Sequence, residues 1–166
     1  MRHEIRNSIF VMFGLSTLTL LSSCTWWEEK KDEKAASLIV VNVLSKKYFD
    51  DCHIKGSVNI EMDALKDHAE KNWNKAKDQI VLYCGNYMCT ASGESARMLK
   101  QMGFQHVWAY EGGTAEWKQL DYPVEGVCTA GYLTSFKKPE GYEAEANTPV
   151  ITSQELKSKM EEFDLL

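Results

Sequence analysis

Three short runs of apolar, largely β-branched residues, separated by stretches with helical spacing, constrain this chain more than any other feature. Ser37 to Val43 (SLIVVNV), Gln79 to Tyr83 (QIVLY) and His106 to Tyr110 (HVWAY) lack the polar alternation of a half-exposed strand, so each reads as a strand buried on both faces. Between them, Met62, Leu65, Ala69 and Trp73 form an apolar helical stripe. Ser95, Met98, Leu99 and Met102 form a second, which Gly103 stops. Strands buried on both faces need helices on both sides. The alternation therefore predicts an α/β domain over residues 37–126, with a mostly parallel central sheet in a three-layer α/β/α arrangement.

Composition narrows the function classes. The chain has 166 residues, 44% hydrophobic and 26% charged, with only 3 Pro. That excludes a disordered or repetitive polymer and a multi-pass membrane protein. A formal charge of −5 leaves no basic surface for nucleic acid, which is not expected as a partner. Five cysteines are too few to staple a chain this long but enough for chemistry.

The N-terminus reads as an address. Arg2 and Arg6 precede an uncharged, largely apolar run from Ser8 to Leu21, and Ser22, Ser23 and Cys24 follow. The run is short of the roughly 20 residues a membrane span needs and has the layout of a secretory leader. Leu21-Ser22-Ser23-Cys24 also resembles the bacterial lipoprotein box. That resemblance implies a leader of residues 1–23, a lipid on Cys24, and a membrane partner reached only through that lipid. The location it implies is the bacterial cell envelope, facing the periplasm, with Thr25 favouring the outer membrane. Residues 24–36 carry Trp26 and Trp27 and then a run of mixed charge without apolar period, a solvated tether.

In a parallel sheet, chemistry gathers where loops leave the carboxyl ends of the strands. At the end of QIVLY stands Cys84, and Gly85, Asn86, Tyr87, Met88, Cys89, Thr90, Ala91 and Ser92 follow before a helix that opens near Gly93. Successive loop N–H groups and the positive end of a helix favour a thiolate and lower a thiol pKa, which makes Cys84 the candidate nucleophile.

These residues resemble the rhodanese family. Cys52-His53-Ile54-Lys55-Gly56 is similar to its first signature, and Val81-Leu82-Tyr83-Cys84 to the strand that presents its nucleophile. Gly112, Gly113, Trp117 and Tyr122-Pro123-Val124 are similar to its closing signature. The resemblance implies a single-domain sulfurtransferase in which Cys84 accepts sulfur from a small sulfane-sulfur donor, such as thiosulfate or a persulfide, and passes it to a thiol acceptor. The loop from Gly85 to Gly93 would bind the substrate, while His53, Gly56, Gly112, Gly113 and Trp117 would be structural. No cofactor or metal is implied.

The loop departs from the common pattern, being about two residues longer with no Arg or Lys between Cys84 and Ser95, which predicts a larger, uncharged pocket. A dianion such as thiosulfate would bind less well there than an organic persulfide. The Cys-x5-Arg of the related phosphatases is absent, which disfavours that chemistry. Cys89 is a possible co-catalytic or resolving thiol. With Cys24 lipidated, Cys52, Cys84, Cys89 and Cys128 allow three full pairings, and the sequence does not choose. Two further readings stay open: a catalytically silent rhodanese-like binding module, and a thiol–disulfide redox protein using Cys84 and Cys89.

Residues 127–166 form an extension that reads as loop to Asn147. A Thr152-x-x-Glu155 capping box then opens a helix near 153–163 with Leu156, Met160 and Phe163 on one face. Pro149 to Leu166 resembles the segment that opens rhodanese domains, so this helix is expected to pack against the domain in that segment's place, the alternatives being a free surface helix or a truncated second domain.

Overall fold

The computed structural model describes residues 36–135 and 137–166; the expected leader, the lipidation site Cys24 and nearly all of the tether lie outside these residues. Four parallel strands make the central sheet: β1 (Leu38–Asn42), β3 (Val58–Asn59), β4 (Gln79–Tyr83) and β5 (His106–Tyr110), in the order β3-β1-β4-β5. β2 (His53–Ile54) pairs antiparallel with β6 (Val124–Glu125) in a small second sheet. The helices are α1 (Lys46–Asp51), α2 (Met62–Asn72), α3 (Ala91–Gln101), α4 (Gly113–Gln119), α5 (Tyr132–Ser135) and α6 (Ser153–Glu162).

The apolar strands divide their side chains between two cores, as strands covered on both faces must. On one face Val41, Ile80, Leu82 and Val107 meet Leu65 and Ala69 of α2 and Ala96 and Leu99 of α3. On the other, Leu38, Val40, Val81, Tyr83 and Tyr110 meet Trp117 of α4 and Leu156 and Met160 of α6. This is the three-layer α/β/α arrangement expected from the sequence.

Two local expectations are corrected. The third helix opens at Ala91 and not near Gly93, because the Thr90 carbonyl already accepts the Glu94 N–H at 3.0 Å. The stretch from Cys128 to Asn147 is not all loop, since Tyr132–Ser135 makes one helical turn that buries Leu133.

The tail is part of the domain. Ala109 donates its N–H to the Pro149 carbonyl at 2.7 Å, and Ile151 donates to the Ala109 carbonyl at 3.0 Å, a parallel bridge on the free edge of β5. The Thr152–Glu155 capping box then starts α6, which turns Leu156 and Met160 into the second core. Gly56 records the same docking, because its φ is +76° and a Cβ there would stand 2.3 Å from the Leu165 carbonyl oxygen.

A Cys52–Cys128 disulfide ties the extension to the domain across 76 residues of sequence. Beside it the Asp51 carboxylate accepts from the Thr129 hydroxyl at 2.7 Å and from the N–H groups of Thr129 and Ala130, which holds its pKa below the usual value. Closing so long a loop restricts the unfolded chain. Reduction, or the Cys52→Ser/Cys128→Ser pair, is therefore expected to cost roughly 2–4 kcal/mol in a denaturant titration. A change below about 0.5 kcal/mol would show that the bond adds nothing to the Asp51 contacts.

Candidate active site

Strand β4 ends at Tyr83, and Cys84 stands at its carboxyl end, where the chain turns into the loop that α3 closes. The loop is shaped from within and from below. Asn86 Oδ1 accepts the Met88 N–H at 2.9 Å, and the Asn86 carbonyl accepts the Cys89 N–H at 3.0 Å, an Asx-type turn that folds Cys89 back toward Cys84. Underneath, Thr114 and Ala115 donate their N–H groups to the carbonyls of Cys84 and Gly85, each at 3.0 Å.

Gly113 makes that approach possible. Its φ is +59°, and a Cβ would stand 2.4 Å from the Cys84 carbonyl oxygen and 2.8 Å from the Asn86 nitrogen. Gly113→Ala is expected to cost more than about 1 kcal/mol and to push the loop out of register. The native alkylation rate of Cys89 should change together with the melting temperature. A variant less stable but equally reactive would show that the loop does not depend on this contact.

The two thiols differ sharply. Cys84 is 0% exposed; its Sγ donates to the Cys89 carbonyl oxygen at 3.2 Å and lies 3.4 Å from the Ser92 hydroxyl. A hydrogen bond with the Cys89 thiol and then burial push the Cys84 thiol well above the usual range. Cys89 is half-buried, and that same hydrogen bond lowers its pKa to about 6. The N–H groups of Ala91 and Gly85 add to the lowering, against burial and the charge of Glu111. The sequence placed the reachable thiolate at Cys84. The structure encloses Cys84 and leaves Cys89 half-buried, because the Asn86 turn lays the loop over the end of β4.

Cys89 opens into a cavity of about 310 Å³ bordered by Tyr87, Arg97, Glu111, Tyr142 and Glu145. The expected uncharged pocket is therefore corrected: the loop has no cation, but charged side chains arrive from elsewhere. Arg97, in the second turn of α3, pairs with Glu145 at 2.8 Å and donates to the Thr148 hydroxyl at 2.6 Å. Tyr142 donates its hydroxyl to Glu111 at 2.7 Å, and its ring meets Tyr87 edge-on at 4.8 Å. Tyr87 and Tyr110 in turn donate to Glu116 at 2.6 and 2.8 Å. The sequence reading missed these residues. Glu111 adjoins the Gly112-Gly113 pair and was the one with a positional signal; Tyr142 and Glu145 reach the site only because the tail folds back.

Of the other predicted site residues, Ser92 and Gly93 are buried at the start of α3 beside the thiols, whereas Met88 is 65% exposed and Thr90 is exposed at the loop's outer edge. His53 lies apart from the loop in β2, its Nδ1 2.8 Å from the Phe49 carbonyl oxygen and its ring stacked on Phe49. Trp117 is fully buried and donates its indole N–H to the Pro123 carbonyl at 2.9 Å. Among the described residues no group of His, Cys, Asp and Glu is arranged to hold a metal ion.

Comparison with known proteins bears on this geometry. A family model described as "Rhodanese-like domain" matches residues 3–120. Among solved structures, a Bacillus halodurans protein is similar at 27% identity and a TM-score of 0.50, over 55% of this chain and 65% of its own, so this chain spans just under two thirds of that protein. A structure titled "rhodanese with anions" from Escherichia coli is similar at 24% identity, TM-score 0.44, over 54% of this chain and 98% of its own. A thiosulfate sulfurtransferase from Pseudomonas aeruginosa is similar at 18% identity, TM-score 0.48, over 54% of this chain and 17% of its own. No curated protein matches the chain.

Proposed function

Since the chain belongs to the rhodanese-like domain family, we propose that it is a sulfurtransferase in which Cys84 and Cys89 act as one unit, with sulfur entering at Cys89. The observation that carries this reading is the placement of two thiols at the carboxyl end of β4: Cys84 enclosed, its Sγ donating to the Cys89 carbonyl oxygen at 3.2 Å, and Cys89 half-buried at the border of a cavity, with its pKa lowered to about 6.

In this reading the Cys89 thiolate attacks the outer sulfur of a persulfide R–S–S⁻. A bond forms between Cys89 Sγ and that sulfur, the donor's S–S bond breaks, and RS⁻ leaves. An acceptor thiolate then attacks the outer sulfur of the Cys89 persulfide and regenerates the Cys89 thiolate. Covalent transfer divides one exchange into two easier steps. The amides of Ala91 and Gly85 and the Cys84 thiol favour negative charge at Cys89 Sγ, before it attacks and as it leaves the outgoing persulfide.

The close thiols also favour a second reading. Attack by Cys84 on a Cys89 persulfide would release HS⁻ and leave a Cys84–Cys89 disulfide, a redox cycle that needs a thiol reductant. The Cys52–Cys128 bond supports the exported location read from the N-terminus, because such bonds persist in oxidising compartments.

The test is turnover. Reduced protein, a sulfane donor and an acceptor thiol should release product continuously. Cys89→Ser should abolish it, and Cys84→Ala should slow it by roughly tenfold or more through the raised pKa of Cys89. No turnover with any donor would refute the enzymatic reading. A single turnover that ends in an internal disulfide would favour the redox cycle.

A further inference from the structure

The mouth of the thiol pocket has a chemistry of its own. Arg97, the cation on its wall, is neutralised by Glu145 and held by Thr148. Glu111 and Glu143 remain, so the lining carries net negative charge. One Glu111 oxygen accepts from Tyr142, while the other, Oε1, is buried without a hydrogen-bond partner. Gly93 leaves room for that oxygen, since a Cβ there would stand 3.1 Å from it. A buried acceptor with no donor is costly until something supplies an N–H. The rings of Tyr87 and Tyr142, edge-on at 4.8 Å, border the same cavity as the Cys89 thiolate, and aromatic faces attract cations. Lys138 stands over Tyr87 at 5.6 Å but lines the adjoining cavity, not this one.

We propose that this pocket is a site for a small thiol compound bearing an ammonium group, with the Glu111 carboxylate as the ammonium's anionic partner, Tyr87 and Tyr142 beside it, and the sulfur directed at Cys89. Where the pocket works as a sulfurtransferase site, which rests on the reading above, the preferred donor is a persulfide with an ammonium a short chain away from the sulfur. Thiosulfate, a dianion without a donor group, is disfavoured by the same carboxylates.

The test uses reagents that need no sulfurtransferase activity. The 2-aminoethyl and 2-sulfonatoethyl methanethiosulfonates react alike: the Cys89 thiolate takes the R–S group, a disulfide forms, and methanesulfinate leaves. The rate ratio of cationic to anionic reagent at Cys89, divided by the same ratio for free cysteine, is expected to be on the order of tenfold or more and to fall with salt. Glu111→Gln should remove most of that preference and leave the anionic reagent's rate unchanged or raised. A corrected ratio of one or below in the wild-type protein would overturn the proposal, even if the variant fails to fold. With sulfane donors the same order should hold, 2-aminoethyl persulfide loading faster than the persulfide of 3-mercaptopropionate. Equal loading would overturn the ammonium site while leaving sulfur transfer intact. Loading by neither, with the reagent preference preserved, would refute sulfur transfer and keep the site.

Discussion

A chain lacking residues 149–166 is expected to lose cooperative folding. The deletion removes Ile151, Leu156 and Met160 from the second core, together with Phe163, Leu165 and Leu166 packed around it. It also uncovers Leu38, Val40, Val81, Tyr110 and Trp117. Full burial of one such side chain contributes about 1.5–3 kcal/mol, so Leu156 and Met160 together contribute about 3–6 kcal/mol, a large share of a domain stability of about 5–15 kcal/mol. Loss of the parallel bridge to Ala109 would expose the edge of β5 as well. Where the truncated chain aggregates, Leu156→Ala gives the graded version: a cavity in a fully buried site costs about 2–5 kcal/mol, read from denaturant midpoints. An unchanged midpoint in either variant would mean that α6 merely rests on the surface.

The second large effect concerns the pH dependence of Cys89. Alkylation by iodoacetamide follows the thiolate fraction, so its rate in the native protein should rise through a midpoint at about pH 6, well below the usual thiol value. The sign follows from the cause: the Cys84 hydrogen bond and two backbone N–H groups favour the charged form, so reactivity persists at neutral pH and is lost as pH falls below that midpoint. In Cys84→Ala the largest of these causes is gone, and the midpoint should rise by more than about one unit. Cys84 itself should react only after denaturation, since the native fold buries it completely. A native midpoint above about 8, near that of free cysteine, would contradict the assignment of Cys89 as the thiolate.

The strands were legible because burial on both faces leaves no polar alternation, and QIVLY and HVWAY coincide with β4 and β5. Gly113 was legible as a motif position, though only the structure gives the reason: no side chain fits between the α4 start and the Cys84 carbonyl. The position of Cys84 at a strand end could be read from local pattern. Its enclosure could not, since that depends on the Asn86 turn bringing Cys89 over it. Nor could the acidic, aromatic mouth, because Tyr142 and Glu145 belong to a segment without period, placed only when the disulfide fixes one end of the extension and α6 the other. The start of α3 was misplaced because Thr90 accepts the first helical bond through its backbone, which leaves no capping side chain to mark it.

The central claim is that sulfur lands on Cys89, held there by Cys84. The direct measurement is fragmentation mass spectrometry of the segment carrying both cysteines, after brief exposure of reduced protein to a persulfide donor and a trapping alkylator. The added mass of about 32 Da, one sulfur atom, should lie on fragments that contain Cys89 and not Cys84. A label on Cys84, with Cys89 bearing only the alkylator, would contradict the account.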